Sequence, residues 1–172
     1  MRTAHSSGFF RRIVPPLLVL TGLVVFAGWM LFSREELAVP PPETMATNTV
    51  TINGQMINVS IARTEDEQAQ GLSGRAPLAS NEGMLFLFDK PDRIGFWMKD
   101  MNFSIDMIWI GPDRRILYIV PNAAPETYPH VFVPPAPSAV VLEVAANMAS
   151  RLGWKPGDEV IFGEGILASN SN

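Results

Sequence analysis

Cysteine is absent from the 172 residues. That excludes disulfides, thiol nucleophiles, thiolate metal sites and an acylated lipoprotein cysteine. Without covalent staples the fold rests on its core, and a chain of this length can bury one domain's worth. Basic runs are missing beyond the first twelve residues, so no nucleic-acid partner is expected. Histidine is scarce, with only His130 outside the N-terminal region. Enzyme templates are missing too. Gly71-Leu72-Ser73-Gly74 lacks the spacing of a nucleophile elbow. No phosphate-cradling glycine loop follows a strand pattern, and no internal repeat is present.

One long apolar run is present. Ile13 to Phe32 is twenty residues without a charge. As a helix it spans about 30 Å, the hydrocarbon thickness of a bilayer. Pro15 and Pro16 fall in the first turn, where a missing N–H costs little. Arg2, Arg11 and Arg12 precede the run, which keeps the N-terminus cytoplasmic and sends the remainder across. A cleaved signal peptide is the alternative. Its apolar region would be shorter, and no convincing A-x-A site follows. The expected location is the inner (cytoplasmic) membrane, single-pass, with the C-terminal domain in the periplasm or extracytoplasmic space. Pro40-Pro41-Pro42 makes the following segment stiff and extended. Without the three leading arginines, ten basic residues face seventeen acidic ones, a net charge of −7 on the exported part. Such a domain gains nothing from anionic headgroups, so contact with the membrane is expected through the anchor alone. The expected organisation is a tail over 1–12, an anchor over 13–32, a proline-rich linker over 33–48, a β domain over 49–165 and a tail over 166–172.

Within the exported part, Val50–Ile52 and Gln55–Ala62 flank Asn53-Gly54, the pair that favours a type I′ hairpin turn. Thr64 and Glu67 are spaced as a capping box, opening a short helix that ends near Gly71 or Gly74. Gly83–Phe88 is apolar throughout, as suits a strand buried on both faces. Ile94–Lys99, Phe103–Ile110, Ile116–Val120, Ala139–Val144 and Glu159–Phe162 follow as strands. Pro121–Ser138 holds six prolines and is expected as a packed loop. Ala145–Leu152 is a short helix with Gly153 as its C-terminal cap. Many short strands and two short helices predict a mainly β domain, a compact antiparallel β-sandwich or small barrel.

Gly95 to Ile110 concentrates two tryptophans, three methionines and two phenylalanines around Lys99, Asp100 and Asp106. A carboxylate among Ile108 and Ile110 needs a partner, because burying it alone is costly. Lys99 and Arg75 are candidates; so are loop N–H groups, in which case Asp106 is structural. Glu143 lies in Val140–Val144 and faces either a pocket or the outside of an edge. Met98, Met101, Trp97 and His130 raise copper, but methionines on apolar strands are usually core filler. No metal and no cofactor is expected.

Several motifs together resemble one family. Gly71-Leu72-Ser73-Gly74-Arg75, Glu82-Gly83-Met84-Leu85-Phe86, Phe96-Trp97-Met98-Lys99, Asp106, Val141-Leu142-Glu143 and Lys155-Pro156-Gly157-Asp158 are similar to the domain of unknown function 192 family, from about Val50 to Phe162. The resemblance implies a compact, mainly β fold, often behind a signal or anchor, and no known activity. Two positions depart from the family pattern. Asp100 stands where Asn is usual, and Ser104 where Pro is frequent.

The leading expectation is an anchored domain binding a small polar ligand or an envelope partner, with a pocket lined by Arg75, Trp97, Lys99, Asp100, Asp106 and Glu143. An aromatic wall with a few convergent polar groups is the usual make-up of such a site. One alternative is a hydrolase using Asp106 and Glu143 as acid and base, which requires both to face one cavity. Another is a structural or assembly module of the envelope.

Overall fold

The computed structural model describes residues 48–167. The expected N-terminal tail and anchor, all of the linker but Asn48, and the last five residues of the C-terminal tail lie outside them. Among the described residues no helix is long and apolar enough to cross a membrane.

The elements are β1 (Thr49–Ile52), β2 (Gln55–Ala62), α1 (Glu65–Gln70), β3 (Glu82–Asp92), β4 (Ile105–Ile110), β5 (Ile116–Ala123), β6 (Ser138–Ala145), α2 (Met148–Leu152) and β7 (Val160–Phe162). The strands form one sheet in the order β5-β4-β6-β3-β2-β1-β7. Asn53 and Gly54 both take positive φ, 49° and 78°, closing the β1–β2 hairpin as the Asn-Gly pair predicts. The sheet curls. Arg115, just before β5, bridges Glu159, just before β7, so the two outer strands meet at one end. Ile116 N–H donates to Asp158 O at 2.9 Å, and Val160 N–H to Arg114 O at 2.8 Å.

Both faces of the sheet are apolar, for the reason visible in β3, β4 and β6. Gly83–Leu87 of β3, all of β4 and Val141–Val144 of β6 are buried without alternation. Inside the curl, side chains from all seven strands meet, among them Ile52, Ile57, Leu85, Ile108, Ile116, Leu142 and Val160. On the outer face Met84, Phe86, Met107, Trp109 and Val141 are covered by Leu72, Phe96 and Met98. Burying a large apolar side chain is worth about 1.5–3 kcal/mol, so these two layers carry the fold.

Three expectations are corrected. Of the two forms expected, sandwich or small barrel, the domain is a half-barrel, one curled sheet and not two packed ones. β2 and β3 pair in parallel, so α1 lies on the crossover between them. Ile94–Lys99 is not a strand: its one ladder contact is the bridge from Phe96 to Phe132. Phe96 and Met98 are buried and Trp97 is exposed, as in a strand, but they cap the outer face of the sheet instead of joining it. Trp109 Nε1 holds the segment down, donating to Ile94 O at 3.0 Å.

Asp106 is fully buried and faces the inside of the curl. One carboxylate oxygen accepts from Asn122 N–H at 2.8 Å and Asn147 N–H at 2.9 Å; the other accepts from Ala149 N–H at 2.8 Å. Asn147 provides no side-chain cap for α2, so Asp106 caps that helix from across the fold. Three main-chain groups converge on it, and neither Lys99 nor Arg75 is its partner. In the variant Asp106→Asn an amide N–H₂ replaces one acceptor oxygen, leaving at least one buried N–H unanswered. Urea unfolding should show a loss of about 2–4 kcal/mol; a loss below about 0.5 kcal/mol would rule out this bracing role.

Candidate functional site

α1 is six residues long and buries none of them. Its start is fixed by the predicted capping box. Thr64 Oγ1 accepts from Glu67 N–H at 3.3 Å, and the Glu67 carboxylate accepts from Thr64 N–H at 3.0 Å and Arg63 N–H at 2.9 Å. Those N–H groups, Thr64's first, hold the Glu67 carboxyl below its ordinary pKa. Gln68 Nε2 ties the helix to β3, donating to Leu87 O at 2.8 Å where the β3–β6 register shifts. Gly71 ends it at φ 49°; a Cβ there would stand 3.3 Å from the Phe86 ring. Only glycine allows this backbone so close to an aromatic side chain.

Beyond α1 the chain is bonded to the loop after Trp97. Ser73 Oγ donates to Lys99 O at 2.9 Å, Gly74 N–H to Asp100 O at 2.8 Å, and Asn102 Nδ2 to Arg75 O at 3.2 Å. Asp100 sits at φ 54°, a conformation in which Asn and Asp are the favoured non-glycine residues. An Asp at this position thus suits the turn while carrying a charge.

These braces hold open a cleft of about 250 Å³. Gln68 to Ser73 form one wall; Ile94 to Trp97 and Met101 form the other; Phe86 and Phe88 stand behind, and Glu143 is at the base. The Phe86 and Phe96 rings meet edge to face at 4.9 Å, and Phe88 and Phe96 at 6.3 Å. An adjoining recess shares Trp97 and the α1 wall and adds Gly74, Lys99 and Asp100.

Glu143 is only 4% exposed. Among the described residues, no hydrogen-bond or ion-pair partner is found for its carboxyl. Burial alone pushes its pKa up to about 8, so it carries a proton at neutral pH. Register explains its placement. Glu143 pairs with Met84 on β3 and Met107 on β4, both outer-face residues. Asp106 pairs with Val144 and points the opposite way.

The expected site residues therefore separate. Trp97, which is 52% exposed, and Glu143 line the cleft; Trp97, Lys99 and Asp100 line its neighbour. Asp106 belongs to neither, being sealed on the other face. Arg75 is exposed and lines neither recess. The acid–base pair of Asp106 and Glu143 cannot share a cavity, because adjacent register positions face opposite sides. Sequence reasoning missed Gln68, Gln70, Phe86 and Phe88. The one signal for them was the short capped helix ending in two glycines; the β3–β6 pairing that aligns Phe86 with Glu143's face left none.

Fold and cleft together define a small β domain built on a single curled sheet, with an acid at the base of an aromatic cleft. The chain belongs to the DUF192 family, described as an uncharacterized ACR, whose pattern matches residues 48–162. Two crystal structures are similar. A protein of unknown function from Novosphingobium aromaticivorans DSM 12444 shares 39% identity at a TM-score of 0.63, over 66% of this chain and 83% of that one. A Sinorhizobium meliloti 1021 protein, described provisionally as a transcription regulator, shares 31% identity at a TM-score of 0.62, over 66% of this chain and 90% of that one. No curated protein matches the chain.

An unpartnered buried acid has a signature in stability. The unfolded chain releases the Glu143 proton near pH 4.5, whereas the folded domain keeps it until about pH 8. The Glu143 contribution is therefore intact below pH 4.5 and lost as pH rises to about 8. Relative to Glu143→Gln, the native domain should lose about 1.4 kcal/mol per pH unit across that window. Urea unfolding at pH 5 and pH 8 measures this. A gap that does not widen would mean the carboxyl is solvated or paired.

Proposed function

We propose that the protein is a membrane-anchored exported binding domain whose cleft over Glu143 takes a small polar ligand. Residues 13–32 hold it at the inner membrane, and the domain faces the periplasm. The observation that carries the binding reading is the uncompensated acid. A carboxyl drawn mostly out of water, open only to the cleft and without a protein partner, costs stability, and such groups concentrate at functional sites. Here it lies in a concave site with an aromatic wall, the make-up expected of a small-molecule pocket.

A second reading has an observation behind it. Tyr128, Val131 and Val133 expose 46%, 44% and 43% of their surface, and the Tyr128 and Trp97 rings are 6.1 Å apart. An envelope protein docking on this rim would cover the cleft mouth.

A thermal-shift screen of sugars, peptides, amines and metal ions tests binding, since a ligand of the folded state raises Tm by mass action. The native domain should respond to at least one class, and Trp97→Ala should abolish the response while changing its own Tm by under about 2 °C, as befits a surface substitution. A response untouched by both Trp97→Ala and Glu143→Gln would place binding elsewhere. Membrane fractionation tests the anchor: deleting residues 13–32 should move the protein from the membrane pellet to the soluble fraction.

A further inference from the structure

Resting on that reading, we propose that the ligand is a small primary amine with an apolar body, its ammonium held by Glu143 and its body lying against Phe86, Phe88, Phe96 and Trp97. The donor groups of Gln68, Gln70 and Ser73 are committed already. Gln68 Nε2 donates to Arg63 O at 3.1 Å and Leu87 O at 2.8 Å, Gln70 Nε2 to Ser73 O at 2.8 Å, and Ser73 Oγ to Lys99 O at 2.9 Å. Among the described residues, Glu143 and the Trp97 indole are the lining side chains with no protein partner for any polar atom. A sugar, with hydroxyls on every side, would find one acid, one indole N–H and two glutamine oxygens among several rings. A molecule with one polar end and an apolar remainder fits that distribution.

The sign of charge follows from what surrounds Glu143. Met84 on β3 and Met107 on β4 flank it, and no other lining residue from α1, β3 or the 94–101 segment is titratable. The adjoining recess adds Lys99 and Asp100, a cation and an anion together. The cleft thus contains one acid and no base. An anionic ligand would meet a carboxyl and no cation. An ammonium supplies the missing countercharge, and aromatic faces attract cations as well. The volume of about 250 Å³ lies just under the ~300–1,000 Å³ usual for ligand pockets, which limits the amine to a small one.

Binding has a proton balance. In the free protein the Glu143 carboxyl is protonated below about pH 8. An ammonium stabilises the carboxylate, so the acid proton leaves to solvent as the ion pair forms. Affinity therefore climbs as pH rises towards about 8 and levels off above it. A neutral ligand accepting a hydrogen bond from the protonated acid gives the opposite profile, level below that pH and falling above it.

The test titrates the full chain, in a neutral detergent, with 2-phenylethylamine and with its uncharged isostere 2-phenylethanol, which controls for uptake by the micelle. Calorimetry at pH 7 in two buffers of different ionisation enthalpy counts protons. The expected result is binding of the amine at least tenfold tighter than the alcohol, release of close to one proton, and loss of that preference in Glu143→Gln. Glu143→Gln removes a buried ionisable group and should fold at least as well as the native chain, and its own unfolding profile verifies this. Glu143→Asp keeps the charge and should retain part of the preference. Equal binding of amine and alcohol, no proton release, or an unchanged preference in Glu143→Gln overturns the amine assignment. If a neutral compound then binds in a Trp97-dependent manner, the cleft stands as a site for another class. If no class of compound depends on Trp97 or Glu143, the binding reading fails as well.

Discussion

Taking a carboxylate out of water is the constraint that governs this molecule. The central strands β4 and β6 are apolar on both faces, and each carries one buried acid. Asp106 is answered by three main-chain N–H groups, which join the end of β5 and the start of α2 to the middle of the sheet. Glu143, on the neighbouring strand and the opposite face, is answered by nothing in the described chain. The same residue chemistry, one position out of register, thus gives a brace on one side of the sheet and an open site on the other. The braced acid stabilises the fold; the open one costs stability.

Local chemistry was legible in the sequence. Asn53-Gly54 requires positive φ and obtains it. The Thr64–Glu67 capping box forms as its spacing demands, and Gly153 caps α2 at φ 71°. The apolar run of β3 announces a strand buried on both faces. Such signals are complete within a few residues, so no knowledge of distant partners is needed.

Pairing between distant strands was not legible. Whether Glu143 faced a cavity depended on its register with Met84 and Met107, and alternation within β6 leaves both faces equally apolar. The family resemblance named Trp97, Lys99 and Glu143 but gave no geometry to divide them from Asp106 and Arg75. Ile94–Lys99 misled for a physical reason. Its alternation of buried Phe96 and Met98 with exposed Trp97 is that of a strand, yet covering a sheet face produces the same pattern as lying within one. Periodicity reports which side is wet, not which hydrogen bonds are made.

The parallel pairing of β2 with β3 has a dynamic consequence. Parallel neighbours need a long crossover, so the segment carrying α1 is obligatory to the topology and cannot be lost while the sheet persists. Yet α1 contributes no side chain to either core layer and is moored chiefly by polar links from Gln68 and its flanking loops. Segments with few buried apolar contacts open at low free energy, independently of the global transition. The first turn of α1 is therefore the part of the crossover that can loosen most cheaply, while Leu72 stays seated on the outer face and every strand ladder stays intact.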